Sequence, residues 1–166
     1  MPSRSTPRSA HRTATTNVAM VTPPSSENPT PAASWSFPTA IRLAAGCVGE
    51  LGVTCARHGI ERPLIVADPG LVELPAFDSV LEGLGASASV FSDIRPNPVG
   101  ANIDAGVDAF RRGGHDGVVA VGGGSALDSG KVIAFQAGQS RPMWDFEDIG
   151  DNWTLADASA IAPVVA

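Results

Sequence analysis

Long apolar runs are missing from this chain of 166 residues. No stretch approaches the length of about eighteen needed to span a bilayer, so nothing reads as a transmembrane helix. Cysteine is scarce: Cys47 and Cys55 do not make a disulfide framework, which fits a reducing compartment. Basic residues are outnumbered, eleven Lys and Arg against seventeen Asp and Glu, for a formal charge of −6. That balance argues against a surface built for nucleic acid or an anionic membrane. What is present is 43% hydrophobic and 17% charged, enough to bury one core over the length of one ordinary domain.

Residues 1–33 are poor in core-forming side chains. They hold six prolines and eleven Ser or Thr, and Val18 and Val21 are their only members of the set Ile, Leu, Val, Phe and Trp. Such a segment does not bury enough apolar surface to offset its ordering entropy, so a disordered tail is expected. Arg4, Arg8 and Arg12 against Glu27 give it +2 and leave −8 for residues 34–166. The absence of an acid before Glu27 also fits an organelle transit peptide, although no amphipathic period accompanies it. The expectation is a cytoplasmic protein, with an organelle matrix as the alternative.

From Ser34 onward short apolar runs alternate with helical stripes. Cys47, Leu51 and Cys55 recur at helical spacing and Gly59 is placed to end that helix. Pro63-Leu64-Ile65-Val66-Ala67 is a strand stopped by the turn signal Asp68-Pro69-Gly70. Phe77, Val80, Leu81 and Leu84 make a second helical stripe closed by Gly85. Ala88 to Phe91 reads as a strand and Arg95-Pro96-Asn97-Pro98 as a rigid connection. Ile103, Val107 and Phe110 mark a third helix ending near Gly113-Gly114. Gly117 to Val121 is a continuous apolar run of the kind buried on both faces of a sheet. Strands without alternation, separated by amphipathic helices, predict an α/β fold: a Rossmann-like parallel sheet with helices on both faces. Open sheets of this kind bind ligands beyond the carboxyl ends of their strands, that is, after Ala67, Phe91 and Val121.

After Val121 comes Gly122-Gly123-Gly124-Ser125-Ala126-Leu127-Asp128-Ser129-Gly130-Lys131. Three glycines let the backbone turn sharply and approach a ligand, and the following helix aims its unpaired N–H groups and positive end at the same place, which suits a phosphate or pyrophosphate. Ser125 fits an N-cap with Asp128 at N3, a capping box that needs no ligand. Asp128 and Lys131 are spaced for an ion pair on one helix face. Two common phosphate motifs fail by counting. A Walker A loop would need glycine at Ser125 and Ser or Thr at Val132, and the G-x-G-x-x-G fingerprint begun at Gly122 meets Leu127 at its last position.

The segment Val121 to Lys131 resembles the G-G-G-S-x-x-D-x-x-K signature of the iron-containing (group III) alcohol dehydrogenases. Leu64 to Val72 resembles that family's "LIVTDxGLV" strand and turn, Arg95-Pro96-Asn97-Pro98 its "xPNP" loop, and Ala162 to Ala166 the strand before its next motif. Order and spacing agree from about Leu43 to Ala166. The resemblance implies the N-terminal dinucleotide-binding domain of such an enzyme, over residues 34–166, with the sheet incomplete without a downstream helical domain. It implies hydride transfer between NAD(H) and a small alcohol or aldehyde, and possible assembly as a homo-oligomer. Asp68 would accept hydrogen bonds from the adenosine ribose, and its charge would favour NAD over NADP. Asn97 would contact the cofactor. Gly123, Gly124 and Ser125 would hold the pyrophosphate, and Asp128 would lie towards the nicotinamide.

The family's Fe2+ or other divalent metal polarises the substrate oxygen through an aspartate and three histidines that follow this region. His11, His58 and His115 share no helical face and offer no substitute, so no metal ligand or catalytic residue is assigned here. A dehydroquinate synthase or glycerol-phosphate dehydrogenase relative, and a non-catalytic nucleotide-binding module, are the alternatives. Met143 to Glu147 reads equally as the family's connection after the signature helix or as a plain surface loop.

Overall fold

The computed structural model describes residues 33–36, 39–85 and 88–166, with side chains from residue 39 onward. The tail expected over residues 1–33 lies outside the described residues up to residue 32. Ala33, placed by composition in that tail, instead opens a strand. This strand, β1 (Ala33–Ser36), pairs antiparallel with β2 (Ala40–Leu43) in a two-stranded hairpin. Arg42 on β2 forms a two-pronged ion pair with Glu50, Nε to Oε2 at 3.1 Å and Nη2 to Oε1 at 3.0 Å. This ties the hairpin to a 3-10 turn, Cys47–Glu50, which leads into α1 (Leu51–Arg57). The single helix expected from Cys47 to Cys55 is therefore divided at Glu50.

The main sheet begins with β3 (Pro63–Ala67), every residue of which is buried. A short helix α2 (Pro69–Val72) and a longer one, α3 (Ala76–Leu84), follow. Gly85, in the left-handed conformation, ends α3 as its position predicts. Then come β4 (Ser89–Phe91), α4 (Gly100–Arg112), β5 (Gly117–Val121), α5 (Gly124–Gly138) and the two-residue strand β6 (Val164–Val165). The four strands of this sheet stand in the order β4-β3-β5-β6, all parallel. In register, Leu64 lies opposite Val118 and Ala67 opposite Val121.

Alternate side chains of β3 and β5 enter two different cores, which is why these strands show no polar alternation. Leu64, Val66, Val118 and Ala120 pack with Ile103, Val107 and Phe110 of α4 and Ile133 of α5. Ile65, Ala67 and Val119 face the other way, onto Cys55 of α1 and Phe77, Val80 and Leu84 of α3. Fully burying each such Leu, Ile, Val or Phe contributes about 1.5–3 kcal/mol. Helices thus cover both faces, as expected of a Rossmann-like sheet. Among the described residues no helix is long and apolar enough to cross a membrane.

Two polar devices fix the ends of these layers. Asp116 accepts backbone N–H bonds from Glu61 (3.1 Å) and Arg62 (2.8 Å), aligning the beginnings of β3 and β5. Arg111 of α4 donates to the carbonyls of Ala137 (3.0 Å), Gln136 and Gln139 (both 3.3 Å), satisfying the carboxyl end of α5.

Candidate functional site

The path of the sheet reverses between β3 and β5. From β3 the chain steps outward to β4, returns through α4 to β5 on the other side, and continues to β6. Such a switch point leaves a crevice beyond the strand ends, because neighbouring connections leave to opposite faces. Asp68 stands at the end of β3 and Gly122 at the end of β5. The Asp68 N–H donates to the Val121 carbonyl at 3.3 Å, so the two ends are held together.

Gly122 has φ +142°, a conformation that favours glycine. A Cβ there would fall 3.1 Å from Ala126 Cβ and 3.2 Å from Asp68 Cβ. Glycine is thus required twice at this position, by its dihedral and by the closeness of its neighbours. Gly123 and Gly124 face open space, with nothing within 4 Å of a Cβ built on either. Packing therefore does not require glycine at either position.

Helix α5 starts at Gly124, with Gly123 as its N-cap in an extended conformation. The Gly123 carbonyl accepts from Ala126 and Leu127, both at 3.1 Å. The capping box expected of Ser125 and Asp128 is therefore not formed. Ser125 lies inside the first turn, and Asp128, one turn on, pairs instead with Lys131 Nζ at 3.1 Å. The cause is local: Gly123 adopts the extended N-cap geometry without a side chain, which moves the helix start ahead of Ser125. The backbone N–H groups of Gly122, Gly123, Gly124 and Ser125 consequently donate to nothing among the described residues. Unpaired donors at the positive end of a fifteen-residue helix are the chemistry that suits an anion.

Asp68 is also the N-cap of α2, where its Oδ1 accepts the Gly70 N–H at 2.8 Å. Pro69, with its fixed φ and no N–H, suits the first position of that helix. Oδ2 has no hydrogen-bond partner among the described residues. The turn reading and the ligand reading of this aspartate are compatible, because each uses a different oxygen. Asn97 is exposed and holds φ +53°, and its side chain has no hydrogen-bond partner among the described residues. Its loop is braced by Asn102, which accepts the Val99 N–H at 3.2 Å and donates to the Asp93 carbonyl at 2.9 Å.

Of the six residues singled out in the sequence, five border the switch point or the first turns of α5. Asn97 arrives on a separate loop, whose next residues, Pro98 and Val99, line a cleft together with Asp128. Sequence reasoning read Gly122 only as one of three glycines in the turn, although it is the most constrained of them, and gave Gly130 no role. A Cβ on Gly130 would lie 2.7 Å from Ala120 Cβ, so its absence lets α5 rest directly on β5. The position of Gly122, first after a buried strand, was the available signal for the former.

A parallel sheet whose switch point opens on an unpaired helix start, with a carboxylate just past the end of the neighbouring strand, is the arrangement of the doubly wound α/β class. Residues 38–166 match the family described as "Iron-containing alcohol dehydrogenase", and the chain belongs to that family. It is 35% identical over 130 residues to a 4-hydroxybutyrate dehydrogenase of Cupriavidus necator, covering 77% of this chain and 34% of that one. It is 27% identical over 133 residues to an NAD-dependent methanol dehydrogenase of Bacillus methanolicus, covering 78% of this chain and again 34% of the relative. Among solved structures it resembles a 1,3-propanediol oxidoreductase with TM-score 0.65 and 33% identity, covering 72% of this chain and 31% of that one. The chain spans about a third of the length of these relatives.

Proposed function

We propose that this chain is the NAD-binding part of a cytoplasmic, metal-dependent alcohol dehydrogenase that transfers hydride between NAD(H) and a small alcohol or aldehyde. The observation that carries the reading is the bare corner at Gly122–Ser125, four unpaired N–H groups wide, beside the unpartnered oxygen of Asp68. The relatives named for NAD and for alcohol substrates support the same assignment.

The residues present fit the cofactor. The N–H groups of Gly123, Gly124 and Ser125 would donate to pyrophosphate oxygens, aided by the α5 dipole. Asp68 Oδ2 would accept from the adenosine ribose hydroxyls while the Gly70 N–H holds Oδ1 in place. A carboxylate at that point repels a 2′-phosphate, which selects NAD over NADP. Asn97 would reach the cofactor from its braced loop, and Asp128, its charge compensated by Lys131, would flank the far side of the cradle. When bound, the nicotinamide ring supplies the carbon that takes or gives the hydride. Among the described residues no three His, Cys, Asp or Glu side chains gather into a metal site, so no step is assigned here to the family's metal.

Titration of the chain with NADH, followed by amide shifts, tests the reading. Perturbation centred on Gly122–Ser125 and Asp68 is expected, with weaker response to NADPH. No perturbation of those amides at millimolar NADH would overturn it.

A further inference from the structure

The loop between β4 and α4 has almost no hydrogen bonds of its own. Ile94, 5% exposed, is its one buried side chain. Pro96 and Pro98 have no N–H to give, and none of residues 95–98 makes a hydrogen bond among the described residues. Asn97 nevertheless keeps φ +53°, and it is the one non-glycine among the described residues with a positive φ. A Cβ already meets a steric cost in that region, and Pro98 adds another, because a proline ring crowds the helical conformations of the residue before it. A backbone disfavoured on both counts persists where its neighbours over-determine it.

What constrains this loop is a single amide. Asn102, the third residue of α4, accepts the Val99 N–H on Oδ1 at 3.2 Å and donates from Nδ2 to the Asp93 carbonyl at 2.9 Å. Asp93 and Val99 stand on either side of residues 94–98, so one side chain fastens both ends of the loop. The ends offer opposite partners, an acceptor at Asp93 and a donor at Val99. A planar amide serves both at once, whereas a carboxylate only accepts. With the ends fastened and two proline dihedrals fixed between them, few conformations remain open to Asn97.

We propose that Asn102 is a positioning residue for the cofactor: it holds Asn97 in the left-handed conformation from which that side chain meets NAD(H), and so sets how tightly the cofactor binds. The proposal rests on the reading of Asn97 as a cofactor contact. Both arms of the Asn102 amide are engaged with the backbone, so it acts through Asn97 and not on the ligand. When the tie is lost, only a fraction of molecules present Asn97 correctly, and the apparent affinity falls by that fraction.

The test is a cycle of four proteins titrated with NADH as full chains: parent, Asn97→Ala, Asn102→Ala and the double variant. Asn102→Ala should weaken NADH about fivefold or more in the parent and have no further effect once Asn97 is alanine. Asn102→Asp separates capping from positioning. It keeps the acceptor for Val99 at a helix start that favours negative charge, so its melting temperature should match the parent, yet without the donor to Asp93 its NADH affinity should still fall. If Asn102→Ala does not fold, Asn102→Asp takes its place in the cycle. NADH binding that the Asn102 variants leave unchanged, or weaken equally with and without Asn97, overturns this proposal alone. A parent protein that binds no NADH overturns the cofactor reading and this proposal with it.

Discussion

Asp68 and Gly122 meet across the ends of β3 and β5, the aspartate Cβ standing 3.2 Å from where a Cβ on the glycine would fall. A side chain on either partner therefore determines what the other permits. Gly122→Ala would force an L-residue into φ +142° and press its methyl onto Asp68 and Ala126. We expect a loss of about 1–3 kcal/mol of stability by thermal melting and at least tenfold weaker NADH binding by fluorescence titration. Gly123→Ala, with φ −82° and open space around it, should leave the melt nearly unchanged. Equal melting of the two variants would contradict the geometry.

Replacement of Asp68 by Ala should relax cofactor choice. The NADH-to-NADPH affinity ratio, measured in the same titration, is expected to fall several-fold as the repulsion of a 2′-phosphate disappears. The exposed Asp78 of α3, replaced in the same way, should leave that ratio where it was.

Arg111 holds three carbonyls at the end of α5 through one guanidinium. Arg111→Met keeps the stem but removes these bonds, and chemical denaturation should show a loss of about 1–2 kcal/mol. Since the far end of α5 carries the phosphate corner, NADH affinity in the folded fraction should change little.

The two thiols should behave differently. Cys55 is buried and desolvation raises its pKa, so the reactive thiolate is disfavoured, whereas Cys47 is half-buried. A thiol-specific reagent is expected to label one equivalent quickly, at Cys47, and the second only after unfolding. Loss of the fast phase in Cys47→Ser identifies it.

Acid should weaken one cap in a definite direction. Asp157 accepts from Ser159 Oγ at 2.6 Å and Ser159 N at 2.9 Å, and these bonds lower its pKa below 3.8. A depressed carboxyl contributes stability above its unfolded pKa and loses it as the pH falls through the folded value. Asp157→Asn should therefore melt below the parent protein at pH 7, and the gap should close as the pH is taken down through the carboxylate range. A gap independent of pH would show that the charge plays no part.

Much of this architecture is legible in the residues. The unbroken runs Leu64–Ala67 and Val118–Val121 have few explanations other than burial on both faces, and the stripe Phe77, Val80, Leu84 with Gly85 after it specifies a helix and its end. The hairpin was not legible: Ala-Ser-Trp-Ser alternates over only four residues and adjoins a Pro-rich segment, too short a stretch to mark a strand without its partner Ala40–Leu43. The helix start was misplaced because Ser125 and Asp128 satisfy a side-chain capping rule, while Gly123 caps through backbone geometry that a residue pattern does not display. Beside the break at Glu50 the 3-10 turn packs closely on α3, where a Cβ on Gly83 would collide with the Val48 carbonyl. Such approaches between distant segments have no signature in local spacing.

The seat of α5 on Ala120 through Gly130 has a mechanical consequence. The start of that helix is anchored from within, two turns behind its tip, so the glycines ahead of it need no side chains of their own to stay in place. Stiffness is borrowed from the interior, and a nearly naked stretch of chain keeps its shape while remaining open to whatever arrives from solvent.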